Sequence, residues 1–320
     1  TGHVKAYVGG NDYRFFKYDH VMQAKRQVGS TFKPFLYSLA MQEGEYTPCT
    51  MVPNISYSIQ TPDGKFWEPK DSGKAKFGEE VTLRWALAHS NNRISAYLMK
   101  RFGPQAVIQM ARRMGVTSEI PAVPSICLGV CDISLYEMVG AMNTFANKGI
   151  YVKPIFITKI EDKNGNVIET FTAEKTEALD DVTAYKMIEL MKGVVYEGTG
   201  IRLRSKYHLT YPIAGKTGTT QNQSDGWFMG ITPDLVTGVW TGAEDRSVHF
   251  RTISLGQGSN MALPVWALYM QKVYADPTLN ISTGDFEKPL TDIALDFDCD
   301  KYEEEQNAAV KPEEAEEDEF

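Results

Sequence analysis

No run of about eighteen consecutive apolar residues occurs in this 320-residue chain, so no segment reads as a membrane-spanning helix. There is no initiator Met and no charged stretch followed by a short apolar one, so no leader peptide is visible. Thr1 to Gly10 reads at once as an edge or first strand, and the chain is expected to be a piece cut from a longer polypeptide. Lys/Arg runs with interleaved aromatics are missing, which argues against nucleic acid as a partner. Cysteine is scarce: Cys49, Cys127, Cys131 and Cys299 form no Cys-x-x-Cys pair, which excludes zinc-ribbon and redox-pair spacing. Cys127 and Cys131 are expected to be buried thiols, with a local disulfide as the alternative in an oxidising compartment.

What is present is ordinary for a globular protein of one or two domains, with 42% hydrophobic and 23% charged residues. The net charge of −8 is unevenly spread. Residues 285–320 carry fifteen Asp/Glu against three Lys, a balance of −12, and the remainder is mildly basic at +4. From about Thr283 the composition is acidic and lacks periodicity, so 283–320 is expected to be a tail without its own core.

Three segments carry chemistry. In Gly29-Ser30-Thr31-Phe32-Lys33-Pro34, Ser30 and Lys33 are i and i+3, on one face of a helix that Pro34 places in its first turn. Phe35, Leu36, Leu39, Ala40 and Met41 continue an apolar stripe to a stop at Gly44. A free helix N-terminus there favours a developing oxyanion, and a desolvated lysine can act as a neutral base towards the serine. The bland alternative is a capping serine and a surface lysine. Ser90-Asn91-Asn92 sits at the junction of two helices, where Ser90 reads first as a cap. Ala214 to Thr220 contains Lys216-Thr217-Gly218. A nucleotide loop would need Gly five residues before Gly215, where Thr210 stands. The better reading is an edge strand facing Ser30. In it Gly218 allows close approach of a substrate backbone, Thr217 and Thr219 offer hydroxyls to an anion, and Lys216 adds a fixed positive charge.

The rest supports an α+β pattern. A Pro/Gly-punctuated loop spans 47–78, and helices are expected from Thr82, from Ile94 to Phe102, and from Gln105 to Met114. Ser134-Leu135-Tyr136-Glu137 is a capping box opening a helix to about Asn147. Asn164-Gly165 marks a hairpin within Tyr151–Thr172, and Val182–Val195 reads as a helix. Short strands at 226–231 and 235–242 extend the third segment into an antiparallel meander, closed by a helix over Ala262–Val273.

Ser-x-x-Lys, then Ser-x-Asn, then Lys-Thr-Gly is the ordered set of β-lactamases and penicillin-binding proteins. With Arg26-Gln27-Val28 before Gly29, Gly198-Thr199-Gly200 and Asp225-Gly226-Trp227-Phe228, the sequence resembles the transpeptidase domain of a class A penicillin-binding protein. Trp67-Glu68-Pro69-Lys70-Asp71 departs from the Tyr-x-Pro-x-Asn pattern of that family. The resemblance implies an α+β serine β-lactamase-like fold over 1–282: an antiparallel sheet flanked by helices, with a helical subdomain near 80–149. It implies Ser30 as nucleophile, Lys33 as its base, and Ser90 with Lys216 as a proton relay. It places Asn92, Thr217, Gly218 and Thr219 on the substrate, with the Ser30 and Thr219 amides as oxyanion hole and no cofactor or metal. The implied partners are peptidoglycan stem peptides and β-lactams, with cell-wall assembly proteins as candidates. The implied place is extracytoplasmic (periplasmic), on an N-terminal membrane anchor outside this sequence. The rivals are a D,D-carboxypeptidase, a β-lactamase, and a non-catalytic β-lactam sensor or scaffold.

Overall fold

The structure is a computed structural model, and it describes residues 1–43, 46–61, 63–71, 75–290 and Cys299. The expected stop at Gly44 and most of the acidic tail lie outside the described residues. The class is α+β, as expected. After β1 (Lys25–Gln27), a 3-10 turn (Gly29–Phe32) runs directly into α1 (Lys33–Gln42). Pro34 sits in the first turn, where its missing N–H costs nothing. The 47–78 loop is less irregular than its sequence suggests. It holds β2 (Met51–Pro53), which pairs with β5 (Glu80–Thr82), and a small hairpin of β3 (Ile59–Gln60) and β4 (Phe66–Trp67).

Thr82 caps α2 (Leu83–Ala88) by accepting from Trp85 N at 3.1 Å. The next helix, α3 (Asn92–Arg113), joins the two expected helices across a break at Gly103 (φ 75°). Its cap is Asn91, not Ser90: Asn91 Oδ1 accepts from Ile94 N at 2.9 Å. Ser90 is instead held at φ +55°, a conformation uncommon for a residue with a side chain. β6 (Asp132–Ser134) pairs with β1 and leads through the expected capping box into α4 (Leu135–Ala146).

β7 (Ile150–Val152) pairs with β10 (Lys175–Glu177), and between them β8 (Lys159–Glu161) and β9 (Val167–Thr170) form the Asn-Gly hairpin. Thr1–Gly10 does not form the expected first strand. It makes one isolated parallel bridge, His3 to Ile155, closed by Val4 N on Ile155 O at 3.0 Å and Ile155 N on Gly2 O at 2.9 Å. Asp180 caps α5 (Asp181–Tyr196), and the short α6 (Arg202–Ser205) follows.

The meander is β11 (Ala214–Thr219), β12 (Asp225–Ile231) and β13 (Val236–Gly242), antiparallel in that order, so β11 is an edge strand. All seven residues of β12 are buried, with helices on both faces. Trp227, Met229 and Ile231 join the main core with α1, α4 and α5. Phe228 packs instead on Trp266 of α8 (Gly258–Ala275), rings 5.2 Å apart and edge-to-face. The short α7 (Ile253–Gly256) precedes α8. Burying one such aromatic contributes about 1.5–3 kcal/mol, and this two-sided packing fixes where the β11 edge stands.

The start of the acidic segment is docked. Phe286 is buried, Lys192 pairs with Asp285 at 2.9 Å, and Lys148 pairs with Glu287 at 2.9 Å. Cys299 forms a disulfide with Cys49. Cys127 and Cys131 are free, buried thiols, as expected.

Candidate active site

Ser30 lies in the 3-10 turn and Lys33 is the first residue of α1, so the two stack three residues apart. Val28 and Phe32, both fully buried, hold the turn against the core. The Arg26 guanidinium anchors the strand before it. Its Nε donates to Asp225 Oδ1 at 2.7 Å, and Asp225 is fully buried at the start of β12. Trp240 Nε1 donates to the same oxygen at 3.0 Å, while Ser224 Oγ donates to Oδ2 at 2.9 Å. The strand leading to the Ser30 turn and the start of β12, the central strand of the meander, are thereby pinned to each other.

Lys33 is fully buried, and its ammonium is surrounded by acceptors from the second motif. Nζ donates to Ser90 O at 2.5 Å, Asn92 Oδ1 at 2.7 Å and Asn91 O at 3.2 Å, and lies 3.3 Å from Ser90 Oγ. The positive φ of Ser90 is what turns its carbonyl and hydroxyl towards this one nitrogen. Lys216 reaches the same hydroxyl from β11, with Nζ 2.9 Å from Ser90 Oγ and 3.0 Å from Thr217 O. Ser90 Oγ thus stands between two buried amines. Among the described residues the Ser30 hydroxyl has no hydrogen-bond partner, and Lys33 is committed to Ser90 and Asn92. Catalytic contacts of unliganded sites commonly tighten only when substrate binds.

Burial pushes the Lys33 amine down to about 8, against a smaller opposing pull from the Asp71 carboxylate. Lys216 lies well below the ordinary lysine range, first from burial and then from the charge on Lys33. Burial and the neighbouring Lys33 amine thus both work against the positive charge expected at Lys216.

Asn92 is oriented from the loop whose sequence departs from the family pattern. Its backbone N donates to Asp71 Oδ1 at 2.7 Å, and its Nδ2 donates to Lys70 O at 2.8 Å. Arg93 closes the contact on Asp71 Oδ2 at 2.9 Å. Sequence reasoning missed this role for Asp71; the spacing of an acid after Pro69 was the only signal.

On β11, Thr217 Oγ1 lies 2.7 Å from Thr199 Oγ1, and Thr219 Oγ1 accepts from Gly258 N at 3.0 Å. Gly218 also has a packing use. A Cβ there would stand 2.8 Å from Val28 O and 2.9 Å from Thr31 Cγ2, so its missing side chain lets the Ser30 turn pack on the strand. The structure thus brings Lys33, Ser90, Asn92 and Lys216 into direct contact. Ser30 sits one helical turn before Lys33, and Thr217 and Thr219 lie on the adjoining strand edge.

A family model for the penicillin binding protein transpeptidase domain matches residues 1–243. Penicillin-binding protein 1A of Aquifex aeolicus (strain VF5) is 35% identical over 300 residues, covering 93% of this chain and 39% of that protein. Penicillin-binding protein 1A of Neisseria meningitidis serogroup A is 37% identical over 279 residues, 85% of this chain and 34% of that protein. The chain therefore spans between a third and two fifths of these relatives. Among solved structures, penicillin-binding protein 1A from Haemophilus influenzae has a TM-score of 0.77 at 24% identity, covering 88% of this chain and 47% of that one. The PonA1 protein from Mycobacterium tuberculosis, solved with penicillin V, has a TM-score of 0.71 at 26% identity, covering 88% and 76%.

Proposed function

The chain belongs to the penicillin-binding protein transpeptidase family, on its class A branch, and from that premise we propose that it is a peptidoglycan D,D-transpeptidase acting through Ser30. One observation carries the reading: a fully buried lysine one turn after a serine, sharing the Ser90 hydroxyl with a second buried lysine from the β11 edge. Such an arrangement keeps an amine near neutrality beside a hydroxyl, which is what a serine nucleophile without histidine needs.

Ser30 Oγ attacks the carbonyl between the two terminal D-Ala residues of a stem peptide, and Lys33 in its neutral form takes the proton. The oxyanion is held by the Ser30 and Thr219 amides. Gly29 packs beside Thr219, and a Cβ on it would lie 3.3 Å from Thr219 N. Ser90, between Lys33 and Lys216, passes a proton to the departing D-Ala nitrogen as the C–N bond breaks. Thr217 and Thr219 hold the terminal carboxylate, and Asn92 holds Lys33 and the donor backbone. An amine from a neighbouring stem peptide then attacks the ester, releases Ser30 and completes the cross-link.

β-Lactams acylate the same serine; the penicillin V complex of PonA1 supports this. The catalytic unit is 1–282, with the helical portion near 80–149, and 283–320 is an acidic extension. The place of action is extracytoplasmic, on a membrane anchor carried by the longer protein. The Cys49–Cys299 disulfide supports an oxidising compartment, where such bonds persist.

The test is intact mass after exposure to benzylpenicillin. Wild-type protein gains one long-lived adduct and Ser30→Ala gains none. Covalent labelling of Ser30→Ala overturns the nucleophile, and rapid loss of the adduct favours a β-lactamase. Product analysis with an added acceptor amine separates transpeptidation from carboxypeptidase action.

A further inference from the structure

Gly198-Thr199-Gly200 has no part in the reaction above, yet it touches the third motif and the end of the helix that leads into the second. Thr199 N donates to Ala88 O at 3.1 Å, two residues before Ser90. A Cβ on Gly198 would stand 2.1 Å from that same carbonyl oxygen, so this approach needs glycine. On its other side, Thr199 Oγ1 lies 2.7 Å from Thr217 Oγ1.

We propose that Thr199 is a positioning residue: its hydroxyl donates to Thr217 Oγ1 and so commits the Thr217 proton to the substrate carboxylate. The inference rests on the transpeptidase reading, which gives that carboxylate to Thr217 and Thr219. A hydroxyl has one proton to donate, and an ionised carboxylate can only accept. A threonine that holds a carboxylate must point its proton at the ligand, so its protein partner has to be a donor. Thr219 already satisfies this condition, because Gly258 N at the start of α8 donates to its Oγ1. Thr217 has no such amide on its hydroxyl; among the described residues Thr199 Oγ1 is its hydrogen-bond partner. With Thr199 as donor the two threonines become equivalent, each accepting from the protein and donating outward. Bonds in such a chain polarise one another.

Thr199→Val keeps the branched shape and removes the hydroxyl. Acylation rates are measured by intact mass for wild type, Thr199→Val and Thr199→Ser, each with benzylpenicillin and with its methyl ester. The expected result is a loss of about tenfold for the acid in Thr199→Val, little change for the ester, and recovery in Thr199→Ser. The acid-to-ester ratio is taken within each protein, so general loosening of the fold cancels. Equal losses for acid and ester, or no recovery with serine, overturn the inference while leaving the transpeptidase reading standing. A wild-type protein that forms no adduct overturns that reading and this inference with it.

Discussion

The pH dependence of acylation tests the base most directly. Lys33 titrates near 8 because burial penalises its charged form. In the proposed mechanism the neutral amine is the base, so its competent fraction rises with pH through that value. That fraction is about one part in eleven at pH 7, one half at pH 8 and about ten parts in eleven at pH 9. The second-order rate constant for benzylpenicillin, followed by mass from pH 6 to 9, should therefore rise about fivefold between pH 7 and 8, and less than twofold beyond. The Asp71 carboxylate works the other way, since it favours the charged form of Lys33. Asp71→Asn keeps an oxygen to accept from Asn92 N but removes the charge and leaves the Arg93 charge uncompensated, so the midpoint should fall below that of the parent. The other groups that face Lys33 are Ser90, Asn91, Asn92, Lys216 and Cys127, and the substitution alters none of them. A flat profile, or a midpoint that rises in Asp71→Asn, would refute the assignment of Lys33 as a burial-tuned base.

Two further predictions concern what holds the site. Asp225 is buried and paired with Arg26, so Asp225→Ala should lower unfolding stability by about 3–5 kcal/mol, read from urea midpoints, because a largely buried guanidinium loses its counter-charge; a midpoint equal to the parent's would show the pair to be unimportant. The Cys49–Cys299 disulfide joins positions 250 residues apart, and chain entropy sets an upper bound of about 5.5 kcal/mol on its contribution. Cys49→Ser should melt below the parent under oxidising conditions and match it once the parent is reduced, and a parent insensitive to reductant would contradict that contribution.

What the sequence made legible was local. The Ser134–Glu137 capping box, the Asn164-Gly165 turn and the Ser30–Lys33 spacing each close a contact within four residues, and each stands where it was expected. The meander was legible for a related reason: three short strands in succession pair with their nearest neighbours in the chain. What was not legible depended on partners distant in sequence. Ser90 and Asn91 are both capable caps, and only Lys33, brought in from α1, gives Ser90 another use and leaves the cap to Asn91. The charge of Lys216 could not be read from its neighbours on the strand, because it depends on full burial beside another ammonium. The pairing of Cys49 with Cys299 depended on the acidic segment returning to the body, a return that Phe286 and Asp285 begin on α5. Thr199 follows the same rule. It looks like a turn residue until β11 arrives, and its chemistry is then set by a carboxylate whose need for donors leaves its hydroxyl one direction to point.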